Sequence, residues 1–113
     1  TYLYEPGPAF QKSGGFNTIA QKYAVHKLAP QTHLYTSNNL INDFPGRSFE
    51  IVRQYPVKAE KIPLKQAHIT VRNFPMSTPN LRKKLKIKDG GQDYLFACTL
   101  ANGTKTMLHA RKI

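Results

Sequence analysis

Five of the seven residues from Arg82 to Lys88 are basic: Arg82-Lys83-Lys84-Leu85-Lys86-Ile87-Lys88. Cations at this density neutralise phosphates and release their counterions, which gives strongly salt-dependent binding. Leu81 and Leu85 lie four apart, so on a helix both can dock on a sheet while Lys83, Lys84 and Lys88 face outward together. The alternative is a solvated helix face with lysines near its C-terminus, where the helix dipole favours them. The surroundings favour binding. Residues 45–113 hold fourteen Lys and Arg against Glu50, Glu60, Asp89 and Asp93, a net of +10, whereas residues 1–44 net only +1. The whole chain is 113 residues long and carries +11, a balance that points to an anionic partner, most simply nucleic acid. Arg72, on the polar face of an expected strand, joins Arg82, Lys83, Lys84, Lys86 and Lys88 as a candidate phosphate contact. Its guanidinium can fork onto phosphate or stack on a base. Arg47, Arg53, Lys105, Arg111 and Lys112 extend the patch only if the sheet register gathers them.

Among the aromatics, Phe74, Tyr94 and Phe96 are candidates for base stacking, with Phe96 better read as core. Catalysis finds little support. His26, His33, His68 and His109 are scattered, with no HxxxH spacing and no carboxylate close by in sequence to orient them. Cys98 is the only cysteine, which excludes an internal disulfide, a CxxC pair and a multi-Cys zinc site. It lies within an apolar strand and reads as an inert thiol. Ser13-Gly14-Gly15 belongs to no GxxxxGK[ST] loop, GxGxxG does not occur, and Asp89-Gly90-Gly91 reads as a helix terminator. No catalytic, metal or cofactor site is expected in this chain.

These residues need a scaffold. The length suits one compact domain or two sub-domains sharing a core. With 40% hydrophobic and 11% aromatic residues the chain can bury one. The longest apolar runs are a few residues, so no transmembrane helix is expected. A reducing, cytoplasmic setting suits the cysteine usage. Strands are expected at Tyr2–Glu5, His33–Thr36, Ser48–Val57, Ala67–Asn73, Tyr94–Ala101 and Thr104–Arg111, the last two joined by Asn102-Gly103, a strong hairpin signal. Phe16, Ile19, Ala20, Tyr23 and Ala24 recur at helical spacing. Ser37 can cap a helical turn through Ile41, and Lys58–Gln66 reads as a weak helix distorted by Pro63. Thr78 as N-cap and Pro79 as first helical residue start the basic helix, which runs through Leu81, Leu85 and Ile87 to the glycines. Phe44-Pro45-Gly46 marks a boundary. The class is α+β with a mixed sheet, βα(β) followed by βαβαββ. Thr1 is not a start methionine and Tyr2-Leu3-Tyr4 enters in mid-strand, so a C-terminal piece of a longer protein is expected.

Several stretches together carry a resemblance: Leu3-Tyr4-Glu5-Pro6, KLAPQTHLYTS (Lys27–Ser37), DFPGRSFEI (Asp43–Ile51), VRNFP (Val71–Pro75) and, most specific, LRKKLKIKDGGQDYLFACTLANG (Leu81–Gly103). Over essentially its whole length the chain resembles the C-terminal region of a bacterial class I SAM-dependent methyltransferase group. There a Rossmann-like catalytic domain precedes a small ferredoxin-like segment and a THUMP-like domain. The resemblance implies a ferredoxin-like segment at 1–46 and a THUMP-like domain at 47–113. It implies that S-adenosylmethionine binds upstream, outside this chain, and that RNA, tRNA in particular, is presented to the upstream methyltransferase domain. No residue is carried over from the group as an RNA contact. The competing class is a structural or protein-interaction module that packs on the methyltransferase domain or dimerises.

Overall fold

The computed structural model describes residues 1–7, 23, 25–29 and 32–113. Seven strands form one sheet: β1 (Tyr2–Pro6), β2 (His26–Ala29), β3 (Thr32–Ser37), β4 (Gly46–Tyr55), β5 (His68–Arg72), β6 (Asp93–Thr99) and β7 (Lys105–Lys112). Their spatial order is β2-β3-β1-β4-β7-β6-β5. All neighbours run antiparallel except β5 and β6, which are parallel and joined through the helix α1 (Thr78–Leu85). The sheet is therefore mixed, as expected for an α+β chain. It crosses position 46 without a break, because β1 pairs with β4 from Tyr2↔Glu50 to Pro6↔Gly46.

Alternation in sequence explains the two faces. In β5, Ile69 and Val71 point to the α1 side, where Leu81, Leu85, Ile87, Leu95, Ala97 and Met107 form one apolar cluster. Phe96, Cys98, Leu108 and Ala110 point the other way and meet Leu3, Leu34 and Phe49. β6 and β7 are thus buried on both faces over their central residues, and in β6 this shows as the apolar run Tyr94–Cys98. The sheet rolls around this second cluster. Thr32 Oγ1 at the start of β3 donates to the carbonyl of Thr99 at the end of β6 (2.5 Å), and Asn73 Nδ2 reaches Thr32 Oγ1 (3.4 Å). Strands far apart in the sheet order are drawn together at one rim.

The β6–β7 hairpin forms around Asn102-Gly103, with Gly103 at φ +85° and its N–H donating to the Leu100 carbonyl. Other expectations need correction. Lys58–Gln66 holds only a single 3-10 turn, Ala59–Lys61, so the first helix of the βαβαββ series is absent. Ile62 is extended and buried, as a residue before proline prefers. Ser37 caps no helix. Its hydroxyl donates to the Asn39 carbonyl (2.6 Å) and bonds Tyr4 Oη (2.7 Å), closing a bend. The hairpin of β2 with β3 was not anticipated. The helix expected around Phe16–Ala24 lies outside the described residues, except Tyr23, which is helical. Both chain ends are sewn to β4: the Ile51 N–H donates to the Thr1 carbonyl and the Ile113 N–H to the Ser48 carbonyl.

Candidate nucleic-acid interface

Ser77, not Thr78, is the N-cap of α1. Its Oγ accepts from the Asn80 N–H at 3.4 Å, and Pro79 lies in the first turn. Leu81 and Leu85 are buried against the sheet and turn Lys83 and Lys84 to solvent. The helix then stops earlier than its sequence suggests. Lys86 takes a left-handed conformation (φ 58°, ψ 43°) and ends it without a glycine. Ile87, buried, follows in an extended segment whose next residue pairs with Gln66: the Lys88 N–H donates to the Lys65 carbonyl and the Ala67 N–H to the Lys88 carbonyl, both at 2.9 Å. Lys86 and Lys88 are therefore not part of a helical stripe. They leave the chain from a cap and a short strand-like bridge.

The six candidate residues divide into two groups. Lys83, Lys84, Lys86 and Lys88 are exposed, and none takes part in an ion pair among the described residues. Lys65, which was not singled out by sequence, is also exposed and enters this group through its backbone bond with Lys88. The two arginines are engaged internally. Arg82 is half-buried and donates to the carbonyls of Ala67 (3.1 Å) and Ile87 (3.4 Å) and to Asp89 Oδ1 (3.0 Å), tying the end of α1 to the approach to β5. Arg72 donates to the Val71 carbonyl (2.9 Å) and to Glu5 Oε2 (2.7 Å).

Glu5 is buried, with its side chain 8% exposed. A carboxylate removed from water needs close partners, and here two arginines from distant segments supply them. Besides Arg72, Arg47 donates to Glu5 Oε1 through Nε at 2.7 Å and through Nη2. The Arg47 guanidinium also lies 5.4 Å from the Phe49 ring centre and 5.8 Å from that of Tyr94. A cleft of about 340 Å³ opens here, lined by Glu5, Pro6, Gly7, Gly46, Arg47, Thr70 and Arg72. Next to it, Tyr94 stacks on His68 with ring centres 4.8 Å apart. Phe96 is fully buried, and Phe74 packs half-buried on the α1 cluster. Tyr94, in contrast, lines an open hollow with Gly91, Gln92, Arg111 and Lys112.

One pairing was invisible in sequence. His109 Nε2 lies 2.7 Å from Asp93 Oδ1 across the β6–β7 ladder, and Arg111 Nε lies 3.4 Å from the same oxygen. The hydrogen bond with His109 holds the Asp93 carboxyl below its ordinary range, with Arg111 adding to it. His109 is buried beneath Tyr55 and its Nδ1 meets no partner. Cys98 points to the other face, and burial pushes its thiol up to about 11, so it offers no thiolate to this pair. Among the described residues no group of three or more His, Cys, Asp or Glu is placed to hold a metal ion, and no helix is long and apolar enough to cross a membrane.

Comparison with known proteins divides the chain where its charge changes. Residues 2–45 match a ferredoxin-like domain family and residues 46–112 match a THUMP domain-like family. The crystal structure of a "putative methyltransferase" from Porphyromonas gingivalis W83 is similar over 98% of this chain, with 41% sequence identity and a TM-score of 0.89. The chain spans 29% of that protein's length. No curated protein matches the chain.

Proposed function

We propose that this chain, which belongs to the THUMP domain-like family, is a non-catalytic module that binds structured RNA, tRNA above all. The observation that carries this reading is the group of exposed lysines that form no ion pair among the described residues, Lys83, Lys84, Lys86 and Lys88 with Lys65 beside them. Five cations on neighbouring segments suit a phosphate backbone, which is read by charge rather than by base identity. THUMP domains occur in tRNA-modifying enzymes, next to ferredoxin-like partners. The P. gingivalis protein, described as a putative methyltransferase and much longer than this chain, supports a role beside such a catalytic domain. In this reading the module presents RNA to a class I methyltransferase domain upstream in a longer cytoplasmic protein. S-adenosylmethionine belongs to that domain, and this chain supplies affinity and orientation.

The experiment is a tRNA titration across salt. Binding should weaken linearly on a log–log plot, the slope steepening by about one unit for each phosphate neutralised. Lys83→Glu with Lys84→Glu should weaken binding and leave the fold intact. Absence of binding at low salt, or binding indifferent to salt, would falsify the reading.

A further inference from the structure

The cleft between β1, β4 and β5 has the chemistry of an anion site. Two guanidiniums and the hydroxyl-bearing Thr70 line it, and the only acidic group there among the described residues, Glu5, is held between the guanidiniums. Together the three charged groups sum to +1. Neither arginine is exhausted by its partners. Among the described residues Arg47 uses Nε and Nη2, which leaves Nη1 without a bond, and Arg72 uses Nη1 and Nη2, which leaves Nε. Further positive charge lies close by. Lys112 shares the adjoining hollow with Arg47. A guanidinium matches carboxylate and phosphate with the same forked geometry. Each guanidinium therefore keeps, beside Glu5, a donor that suits a phosphate oxygen.

We propose that this cleft is a phosphate site in which Arg47 and Arg72 hold one RNA phosphate, while the Glu5 carboxylate keeps the two guanidiniums in place when RNA is absent. The inference rests on the RNA reading above but uses a different surface from the lysines. Those lysines are exposed point charges that offer a phosphate no fixed fork. The cleft is built, because each guanidinium is already oriented and half-desolvated. Glu5 stays between the arginines in both states, and the phosphate takes the free Nη1, the free Nε and the Thr70 hydroxyl. The carboxylate weakens the site by opposing the incoming charge, which keeps small anions from filling it. An RNA already anchored on the lysines arrives at high effective concentration and overcomes that opposition.

The test follows the Nε–Hε signals of Arg47 and Arg72 in the isotope-labelled chain while tRNA, or separately inorganic phosphate, is added. tRNA should shift both signals, and inorganic phosphate should shift the same two only at far higher concentration. Glu5→Gln keeps the side-chain shape and one acceptor oxygen and removes the opposing charge, so it should tighten tRNA binding by about fivefold, the worth of one unit charge at a partly screened surface. Glu5→Gln with Arg72→Gln should lose that gain. If tRNA binds through Lys83 and Lys84 while both arginine signals stay in place, the cleft proposal is overturned and the RNA reading stands. If tRNA binds in no form, the RNA reading fails and this proposal fails with it. The wild-type titration decides the matter even where a Glu5 variant does not fold.

Discussion

The amide of Lys88 donates to the carbonyl of Lys65 at 2.9 Å, so two cations 23 residues apart leave the backbone as neighbours. Replacing Lys65 by Gln should reduce the salt slope of tRNA binding by about one unit, as loss of one phosphate contact does. A tRNA titration at several salt concentrations reads the slope directly. An unchanged slope would remove Lys65 from the interface.

Arg82 belongs to the fold despite standing first in the basic run. Arg82→Ala leaves the carbonyls of Ala67 and Ile87 short of a donor, so it should cost about 1–2 kcal/mol of stability. Its exposed partner Asp89 adds little. Thermal unfolding checks the cost, and below the new transition tRNA affinity should stay near that of the parent. A variant with full stability and weak binding would reverse this assignment.

The chain gives up part of this arrangement to direct reading and hides part of it. Asn102-Gly103 between apolar runs announced the hairpin, and the alternation of Ile69 and Val71 announced β5, because these are local signals. The end of α1 is a different matter. Lys86 adopts a left-handed conformation without being glycine, and Ile87, two residues after Leu85, reads as a further helical turn. It is buried from an extended segment instead, held by a pairing with Gln66 that spacing cannot disclose. The same holds for Glu5. Its partners Arg47 and Arg72 lie 42 and 67 residues away: Arg47 faces it across the β1–β4 ladder, and only the rolling of the sheet brings Arg72 within reach. Charge density located the lysines. It also drew Arg72 and Arg82 into the same group, since composition does not separate a free cation from a tied one.

β1 supplies Leu3 to the core inside the rolled sheet and Glu5 to the two arginines. Residues 47–113 expressed alone should therefore lose about 2–5 kcal/mol through Leu3, with a further loss from leaving Arg47 and Arg72 without their carboxylate. Circular dichroism melting of the two lengths makes the comparison. A segment 47–113 that melts with the whole chain would show that β1 is dispensable.

Stability should fall as the pH is lowered below about 6.5. The His33 imidazole is held below the ordinary histidine value of about 6.5, chiefly by burial, so the unfolded chain takes up that proton first. His33→Gln should flatten the profile between pH 7 and the folded-state value. Asp93 acts in the same direction at lower pH: its carboxyl is held below 3.8, so its contribution is complete above that value and vanishes as the pH drops through the folded-state one. Chemical denaturation at a series of pH values gives both windows.

Cys98, with its thiol pushed up to about 11 by burial, should react with a disulfide reagent slowly in the native chain and rapidly in denaturant. Comparable rates in the two conditions would place the thiol at the surface.

Thr1 and Ile113 flank β4 from opposite sides, about two strand spacings apart, or roughly 10 Å before any offset along the strand. A few residues would bridge them. The chain is thus a natural substrate for circular permutation, with new ends opened at the Asn102-Gly103 turn. It can also be grafted as a closed cassette into a surface loop of another protein, since its host would need to part by little more than the width of a hairpin to receive it.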